Sequence, residues 1–530
     1  MNAIHVFRGA RRRHNLVLTA VMAALLAAAG STGPPSACGG ESAGAPDLEI
    51  AAGSFEPSAE SLQKYECPEW YRDAKFGIWS HWGPQAVPRQ GDWYARNMYL
   101  PGHRHYDHHI ATYGHPSEHG YKDIIPLWTA SKWDPEALMA RYAKAGAKYF
   151  VSMGVHHDNF SLWHSKNHRW NAVEMGPKRN VVAEWQAAAR KEGLRFGVSE
   201  HLGASYAWWA PSHGYDQFGP KAGVPYDGAD PKYESLYHPA HNEPFRWGPT
   251  WYASDPAFHR RWFDRVKDLI DQHQPDLLYT DGGIPFGVVG EALVAHYYNS
   301  NQAAHGGRLE AVYNYKALGT GGTYPGAGVL DVERGVMPEI IAEPWQTCTS
   351  IGDWFYSEGY DYKSTAQIVH MLADIVSKNG NLLINVVQYP EGDLPPESSK
   401  FLDEMGAWMS VNGEAIYGTR PWKVFGEGPT EVKAGYFQEG TVYTAQDIRF
   451  TTKKGAIYAI ALGVPSEETR IASLGRSSPH AGAPVAEVTL VGSGVELQWE
   501  QTPEALVIKS PERWPAELAV AFRITLEGAK

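Results

Sequence analysis

The chain reads as an α/β protein, a (β/α)8 barrel followed by a C-terminal β-sandwich. Three observations predict this. Short apolar runs alternate with amphipathic helical stretches over about 360 residues, the pattern of repeated βα units around a parallel sheet. No glycine-rich dinucleotide fingerprint follows the first apolar run, which favours a barrel over a doubly wound sheet. From about Trp422 the helical stretches stop, and closely spaced short runs suggest a sandwich.

The elements follow in order. Residues 75–80 (KFGIWS) form the first predicted strand. A helix spans 134–145, with Asp134 as N-cap and Pro135 at its first position. Residues 148–153 are a strand, 180–192 a helix ending at Gly193, and 195–199 a strand. A long segment, 205–254, carries aromatics, Gly and Pro with little periodicity, so it is expected to wall a binding cleft. A charged amphipathic helix covers 255–272 and leads into the strand at 277–280. Weaker runs at 311–314, 329–332 and 345–350 are read as strands. A helix at 365–377, a strand at 381–387 and a helix at 398–411 close the barrel. Runs at 442–451, 456–462, 485–490, 495–499, 505–508 and 518–524 supply the sandwich. The expected divisions are 1–37, 38–61, 62–421 and 422–530.

The first two divisions concern export. Arg8, Arg11, Arg12 and Arg13 precede an apolar run, 16–29, too short to span a bilayer. This predicts a secretory signal and an exported protein, periplasmic, at the outer membrane or extracellular. Pro35-Ser36-Ala37-Cys38 resembles a bacterial lipoprotein box, so membrane anchoring through a lipidated Cys38 is a second expectation. Residues 38–61 are expected to be a flexible tether. The net charge is -12, and residues 1–37 hold four arginines and no acid, so without them it is -16. Such an acidic chain is not expected to bind nucleic acid. Three cysteines, Cys38, Cys67 and Cys348, are too few for a disulfide framework, and a Cys67–Cys348 bridge is left open.

Candidate site residues all follow predicted strands. His81 follows the first, His156 and His157 the second, Glu200 and His201 the third, Asp281 the fourth, and Glu333 the run at 329–332. Barrels build active sites from the C-terminal ends of their strands. In QPDLLYTDGG, 274–283, two glycines after Asp281 permit tight backbone. An Asp-Gly hairpin is the plainer reading, but the flanks at 255–273 and 287–299 read as helical. Zinc is the rival use of the histidines, with His103, His105, His108 and His109 nearby. Adjacent His156 and His157 are expected to point in different directions, and no HExxH is present. No metal or cofactor is therefore expected.

Several motifs carry a resemblance: KFGIWSHWGPQAVP, DWYARNMY, AKYFVSMGVHHDNFSLW, LLYTDGG, WQTCTSIGDWFY, GNLLINV and NGEAIYGTRPW. Together they resemble glycoside hydrolase family 29, the α-L-fucosidases, over roughly residues 62–422. The resemblance implies a barrel with a following sandwich, and retaining hydrolysis through a fucosyl-enzyme intermediate. It implies Asp281 as nucleophile, and His81, His156 and His157 as hydrogen-bonding partners of the fucose hydroxyls. Trp93 lies in the family's EWY segment, where this chain has Asp92 before it. The tyrosine that many members place after the third strand is replaced around Glu200 and His201. Glu333, in LDVERG, aligns best with the acid/base; Glu343, in AEPWQT, is its rival. Arg334 is expected to contact the sugar or tune a carboxylate.

The chemistry requires such a set. A retaining glycosidase needs two carboxyls roughly 5 Å apart, one ionised to attack and one to deliver a proton. The expected partner is a fucosylated oligosaccharide or glycoconjugate. Two other readings remain open at this point. One is an exo-glycosidase for another α-L-glycoside, of L-galactose or L-glucose. The other is a non-catalytic surface sugar-binding protein, for which paired carboxylates are unnecessary.

Overall fold

The computed structural model describes residues 47–241, 245, 251–318 and 320–528. The signal segment 1–37 and Cys38 lie outside the described residues. Eight parallel strands close a barrel: β1 (Phe76–Ser80), β2 (Tyr149–Val155), β3 (Arg195–Glu200), β4 (Leu277–Thr280), β5 (Val312–Lys316), β6 (Val329–Asp331), β7 (Trp345–Ser350) and β8 (Gly380–Asn385). Each pairs with its neighbours in sequence, and β8 closes on β1 with Phe76 opposite Leu382. Nearly every strand residue is buried, because the layer outside covers one face and the barrel core the other. Side chains on both faces are therefore out of water, although β5 and β7 bury polar residues such as Asn314, Thr347 and Thr349.

Six helices, α1 (Pro135–Lys144), α2 (Val181–Lys191), α3 (Pro256–His273), α4 (Val288–Ala304), α5 (Thr365–Ser377) and α6 (Pro396–Asn412), lie in the outer layer. The starts of α1, α2, α3 and α5 are set by side chains that satisfy free backbone N–H groups. Asp134 accepts from Ala137 N, Asn180 from Ala183 N, and Ser364 forms a capping box with Gln367. Residue Gln274 takes a left-handed conformation at φ +42° to end α3, and Pro275 forbids its continuation. The βα alternation is incomplete: described residues between β5 and β6, and between β6 and β7, form turns and loops.

The segment from residue 48 to 61 is no tether. Ala51 N donates to His296 Nδ1, and Asn299 Nδ2 donates to both Ala51 O and Phe55 O, each at 2.9 Å. Phe55 N returns a bond to Asn299 Oδ1. These bonds, each contributing about 1 kcal/mol net, fasten the segment to α4, and Ala59–Leu62 forms a short helix. Cys67 and Cys348 are free thiols, Cys348 bonding Asp331 Oδ1 inside the barrel.

Beyond α6, β9 (Arg420–Glu427), β10 (Ile448–Lys453), β11 (Ala456–Ala461), β12 (Glu468–Ile471), β13 (Val485–Leu490), β14 (Trp499–Gln501), β15 (Leu506–Lys509) and β16 (Val520–Leu526) form two sheets, β13-β16-β11-β10-β9 and β12-β15-β14. Ile471, Leu506 and Ile508 from the second sheet pack on Phe450, Ile457 and Phe522 from the first, which makes the pair a sandwich. Strand β9 escaped prediction because Pro421 interrupts it; it is an edge strand, where a missing N–H is tolerated. β12 also escaped. A buried ion cluster joins sandwich to barrel: Asp374 in α5 takes Arg449 Nε at 2.6 Å and Lys378 Nζ at 2.8 Å.

Candidate active site

A cavity of about 800 Å³ opens at the C-terminal ends of the barrel strands. Its lining includes His81 after β1, His156 and His157 after β2, His201 after β3, Asp281 after β4, Lys316 at the end of β5, and Glu333 and Arg334 after β6. Asp92 and Trp93, on the β1–α1 connection, join them. The long segment before α3 does wall the cleft, through Trp251.

Asp281 is held by its backbone as well as its side chain. Its N–H donates to Glu200 O at 3.1 Å, while Trp251 Nε1 donates to its carbonyl at 3.1 Å. Tyr252 Oη reaches Gly283 O at 2.7 Å and the Asp281 carbonyl at 3.4 Å. Gly282, at φ +135°, makes room for that approach, since a Cβ there would sit 2.2 Å from the Tyr252 hydroxyl. The chain therefore turns sharply after β4 and leaves the carboxylate facing the cavity.

The central feature is Lys316. Its Nζ lies 2.5 Å from Asp281 Oδ1 and 2.6 Å from Glu333 Oε2. Those two oxygens are no farther apart than the two contacts laid end to end, which is short of the roughly 6.5–9.5 Å of an inverting carboxyl pair. All three groups are largely buried, with Lys316 5% exposed, Asp281 11% and Glu333 14%. Burial disfavours the lysine charge, but Asp281 and Glu333 outweigh this and hold its pKa well above the usual value. Burial likewise pushes the Asp281 carboxyl up. Lys316, His201 and the hydrogen-bonding imidazole of His157 outweigh it and hold that carboxyl well below the ordinary range.

Four imidazoles floor the cavity. His157 Nδ1 donates to His201 O at 2.7 Å, which turns Nε2 toward Asp281 Oδ2 at 3.3 Å. His201 Nδ1 lies 3.4 Å from the same oxygen. His156 Nδ1 meets Gln85 Nε2 at 2.8 Å and so accepts, leaving Nε2 to face Asp92 at 3.8 Å. Burial lowers His81 and His156 well below the usual histidine value, and lowers His201 to about 4. Neutral rings of His81, His156 and His201 offer one donor and one acceptor each, suited to hydroxyl groups. His81 Nδ1 and His201 Nε2 are buried without a hydrogen-bond partner among the described residues. Orphaned polar atoms at a cavity floor point to a ligand that would satisfy them.

The expectation that His156 and His157 diverge is overturned. Their ring centroids are 4.5 Å apart, and both line the cavity. Both lie in the turn beyond the last residue of β2, so strand alternation does not govern them. Two trios, His81–His156–His201 and His157–His201–Asp281, bring potential ligand atoms within 4.8 Å of one another and could hold a cation.

Three expected residues deserve separate placement. Glu200 is not brought to the cavity. It is fully buried behind it, accepting from Leu202 N, Trp262 Nε1 and Thr280 Oγ1, and burial pushes it up to about 7. Glu343 precedes β7, at the opposite end of the barrel, and is exposed. Arg334, at φ +46°, lines the cavity, stacks over Trp354 and lies 3.5 Å from Glu439.

Sequence reasoning missed Lys316, Asp353, Trp354, Phe437 and Glu439. The one available signal was the lysine two positions past the predicted strand 311–314. Asp92 shares its corner with Asp353, and burial and that neighbour raise its pKa well above the usual value.

Residues 44–414 match the sequence profile described as alpha-L-fucosidase, and residues 440–526 that of the alpha-L-fucosidase C-terminal domain. The chain is 27% identical to the tissue alpha-L-fucosidase of Mus musculus over 498 residues, covering 91% of this chain and 96% of that one. Against the plasma alpha-L-fucosidase of Homo sapiens it is 28% identical over 511 residues, covering 89% and 93%. Its structure resembles that of the Thermotoga maritima alpha-fucosidase in complex with fucose, with a TM-score of 0.69 and 26% identity, over 88% of this chain and 99% of that one. The first profile runs across all eight barrel strands and the second across most of the sandwich. The chain belongs to the α-L-fucosidase family, glycoside hydrolase family 29.

Proposed function

We propose that the protein removes terminal α-L-fucose from glycans with retention of configuration, through a covalent fucosyl-enzyme intermediate. The observation that carries this reading is the Lys316 bridge, which keeps the oxygens of Asp281 and Glu333 too close for the water that an inverting pair must hold between them. Fucose sits on the imidazole floor, its hydroxyls paired with His81, His156, His157 and His201. The deoxy methyl group meets the aromatic wall that includes Trp93.

The Asp281 carboxylate attacks the anomeric carbon as Glu333 protonates the glycosidic oxygen. The carbon–oxygen bond breaks, the aglycone leaves as an alcohol, and fucose is held as an ester of Asp281. The ester has no charge, so Lys316 is left to pair with the Glu333 carboxylate just when a base is needed. Glu333 takes a proton from water, the water oxygen attacks the anomeric carbon, and Asp281 is released ionised.

The activity test is hydrolysis of 4-nitrophenyl α-L-fucoside beside its L-galactoside and L-glucoside counterparts. The fucoside is expected to be strongly preferred; a preference for either counterpart would reassign the sugar. Activity is expected to survive EDTA. Loss in EDTA restored by zinc would recast the histidines as ligands.

Lys316 has its own signature. Lys316→Met removes the cation that most lowers Asp281, so the pKa of the carboxyl rises. Asp281 must be ionised to attack, so the acidic limb of kcat/KM is expected to move to higher pH. A pH–rate profile of the variant reads this directly, and an unmoved limb would deny Lys316 that role. Export is also proposed, on the strength of the N-terminal arginines and apolar run; fractionation with mass spectrometry of the mature N-terminus tests it, and an intact residue 1 in the cytoplasm would refute it.

A further inference from the structure

The rim of the cavity is built partly from outside the barrel. The connection between β9 and β10, residues 428–447, leaves the sandwich and lies along the loop that carries Glu333. Gly435 N donates to Val336 O at 2.8 Å, Phe437 N to Glu333 O at 3.0 Å, and Tyr436 Oη to Asp331 O at 3.0 Å. Glu439 is fixed by Lys363 Nζ at 3.0 Å and Thr349 Oγ1 at 2.5 Å, with Arg334 Nη1 at 3.5 Å. Between these anchors Phe437 sits at φ +57°, a conformation unfavourable for a residue with a side chain.

The anchoring does not bury the ring. Phe437 is 52% exposed and lines the cavity, and Tyr360, 40% exposed, lines it too. An aromatic ring held by strained backbone, yet left in water at a cavity mouth, marks a surface shaped for contact. Its place decides the contact. The imidazole floor is deeply buried, with His157 2% and His201 6% exposed. The sugar to be cleaved occupies that floor, and its leaving group points outward past Glu333. Phe437 is bonded through its backbone to Glu333, so it lies beside whatever is attached to the oxygen that Glu333 protonates.

We propose that Phe437 and Tyr360 form the subsite for the leaving-group sugar, so that a loop of the sandwich domain helps to select the substrate. The inference rests on the fucosidase reading above. The aromatic faces suit the C–H face of a neutral hexopyranose. Arg334, beside Tyr360 and Glu439, offers donors to the hydroxyl edge of that ring.

The test compares kcat/KM on a fucosyl-hexopyranose disaccharide with kcat/KM on α-L-fucosyl fluoride, whose leaving group has no ring. In Phe437→Ala the disaccharide-to-fluoride ratio is expected to fall about tenfold, mainly through a higher KM for the disaccharide. Phe437→Tyr, which keeps the ring, is expected to restore most of the ratio. An unchanged ratio in a folded Phe437→Ala protein would overturn the subsite, and so would a fall in the ratio carried by kcat for the disaccharide at unchanged KM, which would make Phe437 a prop for the acid Glu333, since fluoride leaves unaided. Hydrolysis of neither substrate by the wild type would remove the fucosidase reading and the subsite with it.

Discussion

Asp281→Asn is expected to lower kcat by roughly 10³- to 10⁶-fold, the size of effect seen when a nucleophile is removed. The amide keeps the shape of the carboxylate and can still accept from His157 or His201. It cannot attack as an anion, and it removes one of the two negative charges that flank Lys316. Folding is expected to survive, because the turn that presents residue 281 is held by backbone contacts to Glu200, Trp251 and Tyr252, which the substitution leaves in place. Turnover of 4-nitrophenyl α-L-fucoside, together with circular dichroism, separates lost chemistry from lost structure. A variant that is folded and retains a tenth of the wild-type rate would exclude Asp281 as the nucleophile.

Glu333→Ala is expected to have the second largest effect, and one that depends on the leaving group. A general acid matters most when the departing alcohol is poor. Hydrolysis of a fucosylated oligosaccharide is therefore expected to fall about 10²- to 10⁴-fold. On an activated aryl fucoside the first step needs little acid, so ester hydrolysis becomes limiting. Azide needs no base to deprotonate it, so it should intercept the ester and yield a fucosyl azide of retained α configuration. Glu343→Ala is the control. That residue is exposed at the far end of the barrel, before β7, and its loss should show neither leaving-group dependence nor azide rescue. Azide rescue of Glu343→Ala and not of Glu333→Ala would reverse the assignment.

The parts of the site legible in sequence are those that a strand end presents. The strand before Asp281 was bounded correctly, because Pro275 precedes it and two glycines follow it. Glu200 and His201 show where the rule runs out. Glu200 is the last residue of β3 and His201, at ψ 16°, the first beyond it, so strand alternation does not relate their side chains. His201 faces the cavity, and Glu200 faces Trp262 on α3. The run of residues alone does not say which of the two turns inward.

Lys316 was missed for a simpler reason. The apolar run in the sequence ends at Asn314, two residues short of the end of β5, which leaves the lysine in an unassigned turn. Phe437 and Glu439 gave no local signal, since they lie about a hundred residues beyond Glu333, on a loop that belongs to a different layer of structure. The docking of the sandwich on the barrel, in which Arg449 pairs with the buried Asp374 of α5, brings that loop to the barrel mouth. The expected tether failed likewise: among the small and polar residues of 48–61, Phe55 is buried in the core, and Asn299 on α4 bonds the backbone of Ala51 and Phe55.

The most direct test of the central claim is to trap the intermediate. Wild-type protein treated with a 2-deoxy-2-fluoro-α-L-fucosyl fluoride should lose fluoride from the anomeric carbon and accumulate a stable ester. Proteolysis and mass spectrometry should then find the added sugar on the peptide that contains Asp281. An adduct on the peptide containing Glu333, or on any peptide without Asp281, would contradict the account.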